Sequence, residues 1–294
     1  MNADQIAKTL STLKSLRSPH ETVWRDCFDH SYPIRGSGFC TEQISAIEAQ
    51  MRKARMIDGT TTDAARILSS GIMSGLTPAN SLWFGMDVGQ ESEDERRWLD
   101  DSADILWQNI HASNFDAAAF EGLIDVVCAG WFALYIDQDM EKGGFTFDLW
   151  PIASVYCSAS KAGGKIDTVY REYKLTAEQA VNEFGEENLS EGTRKLAKEK
   201  PQEMVRFVHA IYPRTTHMVG AKLAKNMPVA SCKVEVEAKR LVSESGYHEM
   251  PVVVPRWMMI PDSVYAVGPV FDALPDSRTC LLYTSDAADD LLCV

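Results

Sequence analysis

The sequence predicts an α+β fold, because its hydrophobic pattern changes from one period to another near residue 130. Up to that point apolar residues recur every three or four positions, which is the spacing of amphipathic helices. From Trp131 onward, short β-rich runs alternate with polar residues and are separated by turn residues, as in antiparallel strands. The 294 residues, 45% of them hydrophobic, provide enough apolar material for a sizeable core.

The first part of the chain is expected to be helical. Pro19 is expected to separate the first two helices, and Ser113 or Asn114 can cap the last one, which Gly130 ends. The predicted helices cover residues 3–17, 20–30, 41–54, 60–76, 90–110 and 114–130. The fifth helix is expected to turn its apolar residues, Trp98, Leu99, Ile105, Leu106 and Ile110, toward the core.

The second part is expected to consist of antiparallel strands with two short helices. A hairpin is predicted over residues 131–150, and a second strand pair over residues 155–174. Thr176 is expected to cap a helix that Gly185 ends, and a charged helix over residues 190–200 should stop before Pro201. Single strands are predicted over residues 204–214, 232–242 and 250–259, and a turn after Pro261 should lead into a further helix.

The chain is organised around residues 55–86. Here a turn precedes three threonines that offer N-cap hydroxyls, and the helix that follows has apolar Ala64, Ile67, Leu68, Ile72 and Leu76 at helical spacing. Glycines inside a helix each cost about 1 kcal/mol relative to alanine, so their expected use is to let another backbone approach closely. This packing is either within one subunit or between neighbouring subunits. The structural or subunit-packing candidates are Asp58, Gly59, Gly71, Gly75, Trp83 and Phe84.

No catalytic, cofactor or metal site is predicted. The six histidines are dispersed, and neither an H-E-x-x-H motif nor a P-loop is present. Ser158 and Lys161 satisfy S-x-x-K, but they lie in a strand–turn–strand region and no K-T-G strand accompanies them. The basic residues Arg52, Lys53 and Arg55 are interpreted as a helix end rather than a phosphate contact.

Composition and charge indicate which partners and which cell compartment to expect. With a net charge of −13, the chain is not expected to hold nucleic acid by counterion release, which requires clustered Lys and Arg. Seven widely spaced cysteines without a C-x-x-C motif predict reduced thiols in a cytosol. We expect neither a membrane span nor a secretory signal, since no run of eighteen apolar residues and no basic n-region with an apolar h-region occur.

The last fifteen residues are expected not to be native. The run CLLYTSDAADD, residues 280–290, is interpreted as the in-frame translation of a sequencing adapter. On this hypothesis the gene fragment ends near Thr279, and the net charge without the tail is −10, because the tail holds three aspartates and no base.

Three stretches, in one order, carry a resemblance to a known family. They are residues 55–86 with the D-G-T-T turn, L-T-P and the Trp83–Phe84 pair; residues 148–174 (DLWPIASVYCSAS, a Gly-Gly turn, IDTVYREYK); and residues 243–276 (SESGYHEMPVVVPRW, then YAVGPVFDALPD). In this respect the chain resembles the head-to-tail connecting, or portal, proteins of short-tailed bacteriophages.

The resemblance implies a structural subunit without enzymatic activity. It implies a dodecameric ring in the virion at one capsid vertex, assembled in the host cytoplasm, with double-stranded DNA passing through without sequence-specific binding. The implied partners are terminase, capsid, scaffolding and tail adaptor proteins, and no membrane. By resemblance, residues 1–130 and 131–250 would be the helical and β-rich parts of the wing, and residues 251–279 would lead toward the stem.

Two alternatives remain open at this stage. One is an α+β enzyme acting on a small molecule, with a site assembled from dispersed residues such as His209, Arg256 and Asp262. The other is a different virion component, such as a tail adaptor.

Overall fold

Helices and antiparallel sheets make up the chain, as the computed structural model shows for residues 2–39, 59–89, 92–139, 143–161, 163–218, 220 and 222–290. The predicted α+β class is therefore confirmed. The described helices are α1 (Ala3–Asp29), α2 (Thr60–Leu76), α3 (Glu93–Ala112), α4 (Phe115–Ala129), α5 (Ala177–Phe184), α6 (Glu191–Glu199) and α7 (Pro269–Asp290). The described strands are β1 (Ala133–Gln138), β2 (Phe145–Trp150), β3 (Val155–Ser158), β4 (Thr168–Thr176), β5 (Met204–Pro213), β6 (Val229–Glu235), β7 (Arg240–Tyr247), β8 (Val252–Val253), β9 (Met258–Met259) and β10 (Ala266–Val267).

The first helix differs from the prediction, because α1 runs unbroken through Pro19. A proline inside a helix removes one backbone hydrogen bond and costs about 3 kcal/mol. Large apolar side chains on both sides of it, among them Leu13 and Trp24, are buried. Burying each such side chain contributes about 1.5–3 kcal/mol, which is enough to offset the proline and keep the helix continuous.

The larger sheet is antiparallel, with strand order β3-β4-β5-β6-β7. The predicted pairing of residues 155–160 with 166–174 is confirmed by the β3–β4 register, in which Val155 lies opposite Arg171. The single strand expected over residues 232–242 is wrong. These residues form parts of β6 and β7, joined by a turn in which Lys239 has a φ of 48°. A residue in this left-handed conformation ends a strand, and local alternation alone does not reveal it.

A second, smaller set of strands includes the predicted hairpin. Strands β1 and β2 pair with Ala133 opposite Trp150, while the tip of the hairpin, residues 140–142, lies outside the described residues. The strand expected over residues 250–259 is reduced to two short pieces: β8 adjoins β1, and β9 pairs with β10. Pro255 lies between them, and a proline cannot donate to a strand ladder, so the run is interrupted there.

The chain divides into two compact units by its internal contacts. Unit 1 comprises Met1–Thr22, Pro151–Val252 and Ile260–Tyr265, and unit 2 comprises Val23–Trp150, Val253–Met259 and Ala266–Val294. Unit 1 carries 18 basic and 16 acidic residues, a net charge of +2, whereas unit 2 carries 11 and 26, a net charge of −15. The net negative charge of the chain therefore belongs to unit 2.

Unit 1 has apolar clusters on both faces of its five-stranded sheet. Alternation along β5 sends Val208, Ala210 and Tyr212 to one cluster and Val205 and Phe207 to the other. The first cluster includes three residues of α1, and the second includes residues of α5. The first contains Ile6, Leu10, Leu13, Tyr156, Tyr170, Val208, Ala210, Tyr212, Ala230, Cys232 and Val234. The second contains Ala177, Ala180, Phe184, Leu189, Val205, Phe207 and Val242.

Unit 2 is built around α4, most of whose residues are buried. The helix ends at Gly130, whose φ of 90° favours glycine; a Cβ there would lie 2.2 Å from the carbonyl carbon of Val267. Next to this point the Trp24 and Trp131 rings lie 5.4 Å apart, and the indole N–H of Trp24 donates to the carbonyl oxygen of Ala266 at 3.1 Å. Gly130 thus lets β10 pass directly against the end of α4.

The remaining predictions on organisation have mixed outcomes. The change from helix to strand falls between Ala129 and Ala133, close to the expected residue. The wing and stem divisions at residues 130 and 250, and the non-native origin of residues 280–294, stay predictions. The four cysteines whose side chains are described, Cys27, Cys128, Cys157 and Cys232, are free and buried. No helix within the described ranges is both long enough and apolar enough to cross a membrane.

Candidate subunit-packing site

The start of α2 is held differently from the prediction. Gly59 is the N-cap residue and no side chain caps the helix, so the expected threonine caps are wrong. The hydroxyl of Thr62 instead donates to the carbonyl oxygen of Ser31 at 2.5 Å, and that of Thr61 donates to Ser277 at 2.9 Å. These hydroxyls attach α2 to other segments of unit 2, which sequence spacing cannot show. Asp58 lies outside the described residues.

Two residues form the buried side of α2. Helix α2 contacts α4, its buried residues are Ala65 and Ser69, and the Ser69 hydroxyl donates to the carbonyl oxygen of Ala65 at 2.8 Å. These side chains are small, so the two helices can approach closely. Several of the apolar residues at helical spacing are exposed instead: Ile67 is 72% exposed, and Leu68 and Leu76 are exposed as well.

The exposed side of α2 forms a continuous apolar strip that we call the α2 face. Its members recur at helical spacing and are Ala64, Ile67, Leu68, Gly71 and Gly75. A Cβ added at Gly71 or at Gly75 would meet no described atom within 4 Å. Nothing in the described part of the chain therefore uses the close approach that these glycines allow.

The Trp83 and Phe84 side chains, in contrast, pack inside unit 2. Their ring centroids lie 4.8 Å apart, and the Trp83 ring stacks on Phe115 at 6.2 Å. The indole N–H of Trp83 donates to Nε2 of His111 at 3.2 Å, and Nδ1 of His111 lies 2.9 Å from a carboxylate oxygen of Asp116. This arrangement requires the His111 proton on Nδ1, because Nε2 acts as the acceptor. The pair thus anchors the segment after α2 within its own unit.

Two polar anchors of unit 2 were not predicted. The side chain of Asn114 does not cap α4. Instead it donates to the carbonyl oxygen of Phe147 at 2.7 Å and accepts from the same residue's N–H at 2.9 Å. The guanidinium of Arg35 makes two hydrogen bonds to the buried carboxylate of Asp125, at 2.5 and 2.6 Å, and a third to Glu121 at 3.1 Å.

The Arg35–Asp125 pair is a buried contact whose loss would strongly lower the stability of the fold. Burial raises the pKa of the Asp125 carboxyl, and the hydrogen bonds from Arg35 oppose that shift. A buried carboxylate without its partner would be strongly destabilising. The signal in the sequence was an aspartate in the otherwise apolar end of α4, but its partner lies 90 residues away and could not be identified.

No reactive centre is evident among the residues proposed for an enzyme. His209 is buried in β5 and hydrogen-bonds to the Ser231 hydroxyl at 2.7 Å; burial, with Lys233 and Arg171 nearby, lowers its pKa to about 3. Asp262 lies on an exposed turn with a φ of 57°, and Arg256 forms a backbone bridge with Trp131. Within the described ranges no group of three or more His, Cys, Asp or Glu residues could hold a metal ion.

The described part of the chain is thus an α+β protein with three antiparallel sheets and an exposed apolar helix face. Residues 3–285 match the family described as bacteriophage head to tail connecting proteins, and the chain belongs to this family.

Two curated relatives cover most of the chain. It is 30% identical over 274 residues to the "Portal protein" of Salmonella phage epsilon15, and 26% identical over 273 residues to the "Probable portal protein" of Bordetella phage BPP-1. Each alignment covers 90% of the chain but 48% of the relative. The chain thus spans about half the length of these relatives.

Proposed function

We propose that the chain is part of a portal subunit that forms a ring, dodecameric by family resemblance, at one capsid vertex of a bacteriophage. DNA passes through this ring during packaging and ejection, and tail proteins attach to it. Terminase, capsid, scaffolding and tail adaptor proteins are its partners. The observation that carries this proposal is the family match over residues 3–285, to which two curated portal relatives add support.

The ring is proposed to be a passive conduit. Its bore offers DNA a surface without clustered Lys and Arg, so phosphates are not held there by counterion release. The net charge of −13 is consistent with this, and hydrolysis of ATP is assigned to the terminase partner rather than to this chain. A purified ring that hydrolysed ATP in the absence of terminase would contradict this part of the proposal.

The α2 face is proposed to pack between neighbouring copies. Each glycine in the helix costs about 1 kcal/mol, and inside the described chain no close approach offsets that cost at Gly71 or Gly75. The exposed Ile67 and Leu68 supply apolar area on the same strip. A neighbouring subunit that packs there would bury this area and use the space above the glycines.

Assembly of the full-length gene product tests the main proposal. We expect rings in negative-stain images and a ring-sized mass by light scattering. A protein that stays monomeric at high concentration would contradict the proposed function.

The α2 face has its own test with a matched control. Gly71→Leu together with Gly75→Leu should leave the monomer folded, since no described atom lies within 4 Å of either Cβ position. The same change should prevent ring assembly by filling the space for the neighbour. The matched control is Ser70→Leu, which changes an exposed residue of the same helix outside the α2 face. This variant should assemble normally. Normal rings from the double glycine variant would exclude this face from the subunit contact.

A further inference from the structure

Helix α3 carries an exposed stripe that combines apolar and acidic side chains. Asp94, Trp98, Asp101 and Ile105 are spaced by four, three and four residues and so lie on one side of the helix. We call these four residues the α3 stripe. Trp98 is 68% exposed and Ile105 is 61% exposed, while Leu99 and Ala103 form the buried side of α3. The prediction that Trp98 and Ile105 face the core is therefore wrong.

The exposed tryptophan lies in a strongly negative setting. Helix α3 has a net charge of −4, with six acidic residues and the two bases Arg96 and Arg97. An exposed tryptophan flanked by carboxylates is suited to a cationic partner. The face of the ring attracts cations, and the ring as a whole offers apolar area that a partner can bury. Two copies of α3 facing each other would instead bring like charges together, which costs free energy.

Unit 1 presents a surface of the complementary kind. Between β5 and β6, residues 214–228 contain no acidic residue and three bases, of which Lys222 and Lys225 are exposed and Arg214 is paired with Glu244 of β7 at 3.1 Å. The same segment exposes two large apolar side chains: Met218 is 65% exposed and Leu223 is 61% exposed. We call Met218, Lys222, Leu223 and Lys225 the basic loop.

The basic loop is held in place by its own unit. The guanidinium of Arg214 donates to the carbonyl oxygens of Lys225 and Ser245, and the N–H of Met218 donates to Asn226 at 3.0 Å. A Cβ on Gly246 of β7 would lie 2.1 Å from the carbonyl oxygen of Ala224, so the loop packs directly on the strand backbone.

We propose that the α3 stripe of one copy binds the basic loop of the next copy in the ring. Lys222 and Lys225 pair with Asp94 and Asp101 and lie against the Trp98 ring, while Met218 and Leu223 cover Trp98 and Ile105. This contact rests on the proposed ring, and it names which surfaces of the chain meet there. Because the two surfaces differ, the contact is head-to-tail, and a head-to-tail contact closes into a ring when its rotation is right.

Charge reversal tests the contact in the full-length gene product. An acid-reversed variant, Asp94→Lys with Asp101→Lys, and a base-reversed variant, Lys222→Glu with Lys225→Glu, should each associate at least about tenfold more weakly than the wild type at low salt. Each variant then carries the same sign of charge on both surfaces.

The most informative experiment mixes the acid-reversed and base-reversed variants. Equal amounts of the two variants should form rings again, with acid-reversed and base-reversed copies alternating, because each surface then faces the opposite charge. The fourfold variant that carries all the reversals should also form rings alone. Native mass spectrometry of variants with distinguishable masses would show the alternation.

Controls separate charge at these surfaces from charge in general. Asp100→Lys changes an exposed acid of α3 off the stripe, and Lys195→Glu changes an exposed base of α6; both should form rings as the wild type does. Circular dichroism and urea unfolding should show every variant folded. Rings that survive either reversal, or a folded mixture that stays unassembled, would overturn the contact alone. A monomeric wild type would overturn the proposed function and this contact with it.

Discussion

The two units of this chain differ in charge and in how many apolar side chains they expose. In unit 1 two buried charged side chains have partners inside the unit: Glu235 accepts hydrogen bonds from Ser190 and Thr193, and Arg17 donates to the carbonyl oxygens of Ile152 and Val155. In unit 2, which carries a net charge of −15, many apolar side chains are exposed. Of the eighteen large apolar side chains exposed in the described part of the chain, thirteen belong to unit 2.

This difference separates folding from assembly. The apolar clusters on both sheet faces of unit 1 and its paired internal charges stabilise the fold through contacts within the unit. Exposed apolar strips such as the α2 face and the α3 stripe add little to the stability of a single chain, and we propose that partners cover them. We therefore expect core substitutions in either unit to change stability, and surface substitutions in unit 2 to change association.

The largest expected effect is on the buried ion pair of unit 2. Arg35→Met leaves the Asp125 carboxylate buried without a partner and should lower the free energy of unfolding by about 3–5 kcal/mol, measured in urea. The double variant Arg35→Met with Asp125→Leu should recover part of the loss. Arg97→Met, which removes an exposed contact with Glu93 at 3.5 Å, should cause no measurable change. A mild effect of Arg35→Met would mean that unit 2 does not depend on this pair.

A smaller effect is expected from acid on unit 1. The pKa of His209 is lowered from its ordinary value of 6.5 to about 3, so the unfolded chain binds a proton below pH 6.5 that the folded chain does not yet bind. The stability contributed by neutral His209 is thus present above pH 6.5 and is lost as the pH falls toward 3. At pH 4 the loss should be about 3 kcal/mol.

His209→Gln isolates this contribution. The variant keeps a polar partner for Ser231 but does not titrate, so its unfolding free energy should depend less on pH between 6.5 and 4 than that of the wild type. Parallel pH profiles of the two proteins would show that His209 is not held neutral by the fold.

The smallest effects compare the two sides of α2. Ala65→Leu inserts a large side chain where the helix packs on α4 and should cost about 1–3 kcal/mol of stability. Ile67→Ser, on the exposed α2 face, should change stability by less than about 0.5 kcal/mol. Urea unfolding of the monomer measures both. Equal losses would show that the α2 face is buried within its own subunit and would remove the distinction between folding and assembly surfaces.

Local sequence determined much of this protein. The periods of 2.0 and 3.6 residues located most strands and helices. The α5 start was predictable from Thr176, whose hydroxyl accepts from the N–H of Gln179 while the Gln179 side chain accepts from the Thr176 N–H. The order of three short stretches was also enough to indicate the family that the match over residues 3–285 shows. These features depend on residues close together in the chain, so a short stretch of sequence is enough to predict them.

Tertiary structure decided which sides are buried. The spacing of Ile67 and Leu68 marked an apolar side of α2, but the small Ala65 and Ser69 fit against α4, and the apolar side was left exposed. The continuity of α1 through Pro19, the Arg35–Asp125 pair and the exposure of Trp98 were likewise not predictable. Each depends on the free energy of contacts between segments tens of residues apart, and amphipathic periodicity carries no information about which segments meet.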